Sequence, residues 1–179
     1  MPLAPEYYTA EMVRALPDDG NRYELVWGEL LVNPSPAWIH QAAVGTLYTR
    51  LVEYCTRTGC GRAMLSPADI SWSDDTLVQP DVFVVAPDEA AKRDWAKVRT
   101  LLFVVEVLSP STAKHDRFQK RRLYQAQGIG TIWLVDPVKR AVEVWTAEST
   151  FPTVETGRVS WQVAGAAEAL TIGVEELFV

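Results

Sequence analysis

Three acids and one amine in this chain occupy positions where a charge needs an explanation. Asp81 follows Pro80 near the start of an apolar run, 79–85. Glu106 interrupts a second apolar run, whose opening stretch 101–105 reads as a buried strand and which Val107 and Leu108 resume. Lys120 lies on the helical pattern that follows, four residues after Asp116 and hence on its face, with Tyr124 four residues further on. Glu24 sits inside a short strand pattern, its side chain opposite those of Tyr23 and Leu25. A carboxylate is costly to bury unless protons or positive charge compensate it, and a divalent metal ion would do so. If the strands of Asp81 and Glu106 are neighbours, both carboxylates meet at one end of a sheet. With the carbonyl of Val107 they make an oxygen-rich site suited to Mg²⁺ or Mn²⁺. An ion there activates water and neutralises phosphoryl oxygens. Lys120 would orient the water or steady the developing charge, and Glu24 would add a third acid. A small metal-dependent phosphodiesterase could be built this way.

Each of these residues also has a plainer explanation. An Asp after a proline suits a turn. A Glu within an apolar run demands a partner, and an ion pair with Lys120 or an arginine would supply one. Glu24 alone reads as a solvated strand residue. Asp116 and Lys120 alone read as a helix-surface pair worth a few tenths of a kcal/mol. His40, near a helix start, could face the site or serve as a cap or structural group. Tyr124 could pack in the core, cover Lys120 or touch phosphate. Trp133 and Trp145 sit in strand patterns and are not read as base-stacking platforms.

The elements that must position these groups are legible in outline. Thr9 can cap a short helix, 9–16, closed by Pro17-Asp18-Asp19-Gly20. Strands are expected at 23–26 and 30–32 with Trp27-Gly28-Glu29 as their turn. A long helix is predicted over 37–57, with Val44, Leu47, Leu51 and Cys55 on its apolar face and glycines after it. Two brief extended pieces, 63–65 and 68–72, precede the run 79–85, and an irregular or helical excursion, 87–95, follows it. Ser109-Pro110-Ser111-Thr112 breaks the strand of Glu106 and offers hydroxyl caps to a helix over 112–127. Then come a strand at 131–135, a turn, its hairpin partner at 141–145, and segments 151–155 and 159–163 that could extend the sheet. Segment 174–178 packs the C-terminal end. The expected fold is α+β, or a sandwich-like α/β arrangement: a mixed central sheet with the long helix on one side and the 112–127 helix on the other.

A chain of 179 residues, 48% hydrophobic, is expected to form a single domain, 1–179, with an N-terminal helix and hairpin extension. No apolar stretch approaches the roughly 20 residues needed to cross a bilayer, and the five residues at the start show no secretory leader. Cys55 and Cys60 fit neither a disulfide scaffold nor a CxxC pair, so an intracellular, cytoplasmic protein with free thiols is expected. The net charge of −6 argues against tight, indiscriminate nucleic-acid binding. Basic clusters at 114–122 and at Lys92, Arg93, Lys97 and Arg99 are compatible with a weak or localised DNA contact, and equally with solvated helix faces.

Taken together, these motifs resemble the Uma2 family, a group of putative restriction endonucleases in the PD-(D/E)XK nuclease superfamily. The resemblance spans almost the whole chain. It runs through Arg22-Tyr23-Glu24-Leu25-Val26-Trp27-Gly28-Glu29-Leu30, His40, Pro80-Asp81 and the specific signature Glu106-Val107-Leu108-Ser109-Pro110-Ser111-Thr112. Asp116, Lys120, Tyr124, Gly128 and Trp133-Leu134-Val135-Asp136-Pro137 complete it. Two departures stand out. The superfamily's E-x-K would place a lysine at 108, where this chain has Leu108, so the amine is expected from the next helix, as Lys120. Gly130-Thr131-Ile132 stands where relatives usually carry an acidic and an aromatic residue.

The resemblance implies a restriction-endonuclease-like core and a DNA substrate. It implies Mg²⁺ on Asp81, Glu106 and the Val107 carbonyl, with Glu24 assisting and Lys120 near the attacking water. It also implies a homodimer, whose two sites would suit duplex cleavage. Two other classes compete with this expectation. An inactive nucleic-acid-binding or protein-interaction module would keep the fold with its carboxylates apart or locked in ion pairs. A metal-dependent esterase would show a narrow apolar pocket.

Overall fold

The computed structural model describes residues 7–179. The opening residues, on which the expectation about a secretory leader rests, lie outside the described residues. At the centre is a six-stranded mixed sheet in the order β3-β4-β5-β6-β7-β8. Its strands are β3 (Arg62–Leu65), β4 (Val82–Val85), β5 (Leu101–Val107), β6 (Thr131–Asp136), β7 (Ala141–Thr146) and β8 (Thr153–Glu155). Only β5 and β6 run parallel; the other neighbours are antiparallel. A parallel pair needs a crossover, and the chain makes it with the helix that carries Lys120. β4, β5 and β6 are almost wholly buried, as expected of runs rich in Val, Leu, Ile and Phe covered on both faces.

The two covering layers follow from strand alternation. Phe103, Val105, Val107, Trp133 and Val135 point to one face, where they pack under α2 (Trp38–Thr58) through Ala43, Val44, Leu47, Leu51 and Tyr54. Val104, Leu108, Ile132 and Leu134 point to the other, under Leu123 and Tyr124 of the crossover helix, and Leu101 joins them because the β4–β5 register shifts beside it. A two-stranded unit, β9 (Arg158–Trp161) with β10 (Leu170–Gly173), joins the α2 layer. Segment 159–163 therefore does not extend the central sheet; β8 does. The hairpin β1 (Arg22–Val26) and β2 (Glu29–Asn33) joins the opposite layer through Val26 and Leu31.

Several ends differ from expectation in instructive ways. α1 (Ala10–Arg14) is capped by the Thr9 hydroxyl, which accepts from Met12 N. α2 begins without a side-chain cap and stops where Gly59 turns left-handed at φ 67°. The run 79–85 is a strand only over β4, because Pro80 lacks an N–H and Asp81 spends its side chain elsewhere. α3 (Pro87–Ala91) and a 3₁₀ turn, Trp95–Lys97, fill the excursion before β5. The crossover helix is composite. It opens with α4 (Ala113–His115), widens into a π turn over Asp116–Lys120, and continues as α5 (Arg121–Ala126). Among the described residues, no helix is long and apolar enough to cross a membrane.

Candidate active site

Sheet register sets Asp81 across from Glu106. β4 and β5 are antiparallel with Val82 opposite Val105. One residue further on, the chain brings Asp81 alongside Glu106 at the carboxyl end of β5. There the Val107 N–H donates to Asp81 Oδ2 at 2.8 Å. His40, in the first turn of α2, brings Nε2 to within 3.1 Å of the same oxygen. Arg22 Nη2 lies 3.4 Å from Asp81 Oδ1.

Lys120 enters from the other side. Its Nζ is 2.8 Å from Glu106 Oε1, 3.0 Å from Glu24 Oε1 and 3.6 Å from Asp116 Oδ1. All four side chains are essentially buried. The widened turn helps to explain this convergence. In an α-helix, positions 116, 120 and 124 would drift by about 40° per step; a π turn takes up the excess, and such turns recur at functional sites. Arg121 N–H, bonded to Asp116 O, marks the wide turn. Asp116, Lys120 and Tyr124 all face inward, and the Tyr124 hydroxyl donates to Glu106 Oε1.

Glu24 is delivered by the hairpin. Its Oε1 accepts from Gln79 N at 2.6 Å and its Oε2 from Asn33 Nδ2. Trp27 and Gly28 form the hairpin turn, both at positive φ, 49° and 81°. Glu24 is therefore fully enclosed and not a solvated strand residue.

Four carboxyl groups thus surround two permanent cations, Lys120 and Arg22. The electrostatics follow from that imbalance. Burial is the largest influence on Glu106 and raises it well above the ordinary carboxylate range; Lys120 opposes this, and the charges of Asp81, Asp116 and Glu24 add to it. Burial likewise pushes Asp116 up to about 6, against the pull of Lys120. Asp81 goes the other way. Burial alone would raise it, but the His40 hydrogen bond and the neighbouring charges of Arg22 and Lys120 outweigh burial and lower it. Lys120 is desolvated too, yet the surrounding acids hold it firmly protonated. Acids at one site are thus pushed in opposite directions, Asp81 towards the ionised form and Glu106 towards the protonated one.

These groups line one cleft of about 170 Å³, between the Pro34-Ser35-Pro36-Ala37 segment and the Ser109–Thr112 turn. The cleft contains Arg22, His40, Asp81, Glu106, Val107, Asp116 and Lys120. Glu24 and Tyr124 support it from behind. No group of three or more His, Cys, Asp and Glu side chains is placed to hold a metal ion among the described residues. A smaller donor set is present: Asp81, Glu106 and the adjacent Val107 backbone. Mg²⁺ commonly keeps several waters and takes only one or two carboxylates. The excess of acids over cations fits a divalent ion.

Sequence reasoning missed Arg22, Asn33 and Gln79 as contacts of the acids. Asn33 was detectable in principle: it shares the inward face of β2 with Leu31. The basic face expected at 114–122 is largely consumed. Lys120 is buried, Arg117 pairs with Asp136 at 2.7 Å and Glu143 at 2.8 Å, and Arg121 lies over the Trp145 ring at 4.0 Å.

Comparison with known proteins identifies the family and the fold. The profile of the Uma2 family, described as "Putative restriction endonuclease", matches residues 9–174. A crystal structure of a putative nuclease of the DUF820 group from Anabaena variabilis superposes with a TM-score of 0.77 at 20% sequence identity. The match covers 95% of this chain and 97% of that one, and at this identity it shows a shared fold. None of the curated proteins matches.

Proposed function

This chain belongs to the Uma2 family, and from that premise we propose that it is a metal-dependent DNA endonuclease acting at the Asp81–Glu106 cleft. The carrying observation is the surplus of buried carboxyl groups around Lys120 and Arg22, three of them lining one cleft and Glu24 behind it. Asp81, Glu106 and the Val107 carbonyl would hold Mg²⁺ or Mn²⁺. The Val107 N–H already faces Asp81, and in an extended strand a residue's carbonyl projects to the same edge as its N–H. When bound, the ion supplies a nucleophilic water at neutral pH and charge neutralisation at phosphorus.

The protein's own side chains do the rest. Lys120, held protonated by its acids, steadies negative charge on the attacked phosphate and helps orient the water. Glu24 fixes Lys120 through a salt bridge and is itself fixed by Gln79 N and Asn33. Tyr124 holds the Glu106 carboxylate in position. His40 holds Asp81. Leu108, two residues after Glu106, shares its strand face, so a lysine there would approach Glu106 from the same side as Lys120 does. A shift of the amine from strand to helix is consistent with that shared face. A single domain paired as a homodimer in the cytoplasm completes this proposal; light scattering would reveal the dimer.

The test is cleavage of negatively supercoiled plasmid, whose underwinding favours opening of the duplex into unpaired strand, with Mg²⁺ or Mn²⁺. Wild type should nick it, and Asp81→Ala and Lys120→Ala should not. Equal nicking by both variants and wild type would indicate a contaminant and sink the assignment. The salt bridges of Lys120 to Glu24 and Glu106 favour a second reading, a binding module whose acids are locked in ion pairs. That alternative expects no scission, and no change in Tyr124 or tryptophan fluorescence when Mg²⁺ is added.

A further inference from the structure

Arg22 is the cation of this cleft with the least to do. Its side chain is 32% exposed, whereas that of its partner Asp81 is 4% exposed. Among the described residues, the one hydrogen bond of its guanidinium is the long one to Asp81 Oδ1. Most of a five-donor fork is therefore unspent. Arg22 also borders two concavities at once. One is the cleft; the other is an open groove of about 400 Å³ beside the α1–β1 connection, reached by Arg14, Asn21 and Gln79.

Size and charge narrow the substrate. The cleft, about 170 Å³, has room for one phosphodiester and its sugar. Duplex binding rests on many free cations, each neutralising a phosphate. On the helix beside this cleft only Lys114 and Arg122 remain exposed, because Arg117, Lys120 and Arg121 are engaged internally. Asp18 and Asp69 line the groove as well, and Asp69 Oδ1 accepts from Gln79 Nε2 at 2.9 Å. The acids of the groove disfavour a broad, many-phosphate contact, and its lining cations are Arg22 and Arg14.

We propose that the substrate is a single unpaired strand of nucleic acid, threaded from the cleft past Arg22 into the groove of Arg14, with Arg22 gripping the phosphate at the junction. This rests on the nuclease reading and names its substrate class. A guanidinium offers two parallel N–H groups to phosphate oxygens, a geometry lysine cannot copy. When Arg22 turns from Asp81 to the strand, Asp81 keeps its His40 and Val107 N–H partners.

The experiment is fluorescence anisotropy with a dye-labelled oligonucleotide of about twelve nucleotides, single-stranded or annealed to its complement, with Ca²⁺ replacing Mg²⁺. Scission of both forms is measured in parallel with Mg²⁺. The single strand should bind about ten-fold more tightly than the duplex. Arg22→Ala should weaken it about ten-fold and Arg22→Lys by less. Arg14→Ala, on the exposed end of α1, should weaken it several-fold without disturbing the fold. Equal or tighter binding of duplex overturns the proposal, as does unchanged affinity in both Arg22 variants. Arg22-dependent binding without Mg²⁺-dependent scission of any form would leave the strand path standing and remove the nuclease. Mg²⁺-dependent scission of duplex, unimpaired in Arg22→Ala, would do the reverse.

Discussion

Replacing Asp116 by asparagine should stabilise the protein at neutral pH, although it deletes one member of an apparent helical ion pair. Asp116 is 4% exposed, and its oxygen lies 3.6 Å from Lys120 Nζ, which has closer partners in Glu106 and Glu24. Burial is the largest influence on its carboxyl and pushes it from 3.8 up to about 6, with Lys120 opposing and the charges of Asp81 and Glu24 adding. A carboxyl raised on folding binds its proton more tightly in the native state than in the unfolded chain. The cost of ionising it is therefore absent below the unfolded value. It grows as pH rises through the window from 3.8 to about 6 and is complete above. About two pH units at roughly 1.4 kcal/mol each set a ceiling near 3 kcal/mol. An amide mimics the protonated acid and avoids that cost. In urea unfolding followed by tryptophan fluorescence, D116N should exceed wild type by about 1–3 kcal/mol near pH 8, with the gain vanishing near pH 4. Pairing variant with wild type at each pH cancels the other titrations. A variant less stable than wild type at pH 8, or a difference independent of pH, refutes the argument.

Other perturbations probe the same assembly. Lys120→Met keeps most of the volume but leaves Glu24 and Glu106 buried without their cation; urea unfolding at neutral pH should show a loss of about 3–5 kcal/mol. Tyr124→Phe removes the donor to Glu106 Oε1 and should cost about 1–3 kcal/mol, with the far-ultraviolet spectrum unchanged. Gly28→Ala places a methyl against the Tyr7 ring at φ 81°; a lowered Tm and a loss of about 1–2 kcal/mol are expected.

The sequence was most legible where burial enforces a pattern. The α2 face, the runs of β5 and β6, and the hairpin turns at Trp27-Gly28 and after Asp136 follow from hydrophobic spacing and turn chemistry. Glu106 was visible because a charge in an apolar run requires a partner. Ends were harder. β4 begins later than its apolar run because Pro80 cannot donate to the ladder and Asp81 turns its side chain into the cleft, and 159–161 pairs with β10 rather than the central sheet, a choice alternation cannot make. The Asp116–Lys120 π turn has no spacing signal, since four-residue pairs look alike in α and π geometry.

By itself the chain's order of residues determined the two-layered mixed sheet and nominated Glu24, Asp81, Glu106 and Lys120, because apolar periodicity and misplaced charge are local properties. Tertiary structure alone decided how those charges are balanced. The β4–β5 register brings Asp81 to Glu106. The hairpin buries Glu24 on Lys120, and the crossover helix turns its own basic residues inward onto acids and Trp145. Distances across 25 to 96 residues of chain set those partners, and Coulomb energies depend on separation and burial, neither of which is written in the spacing of the residues.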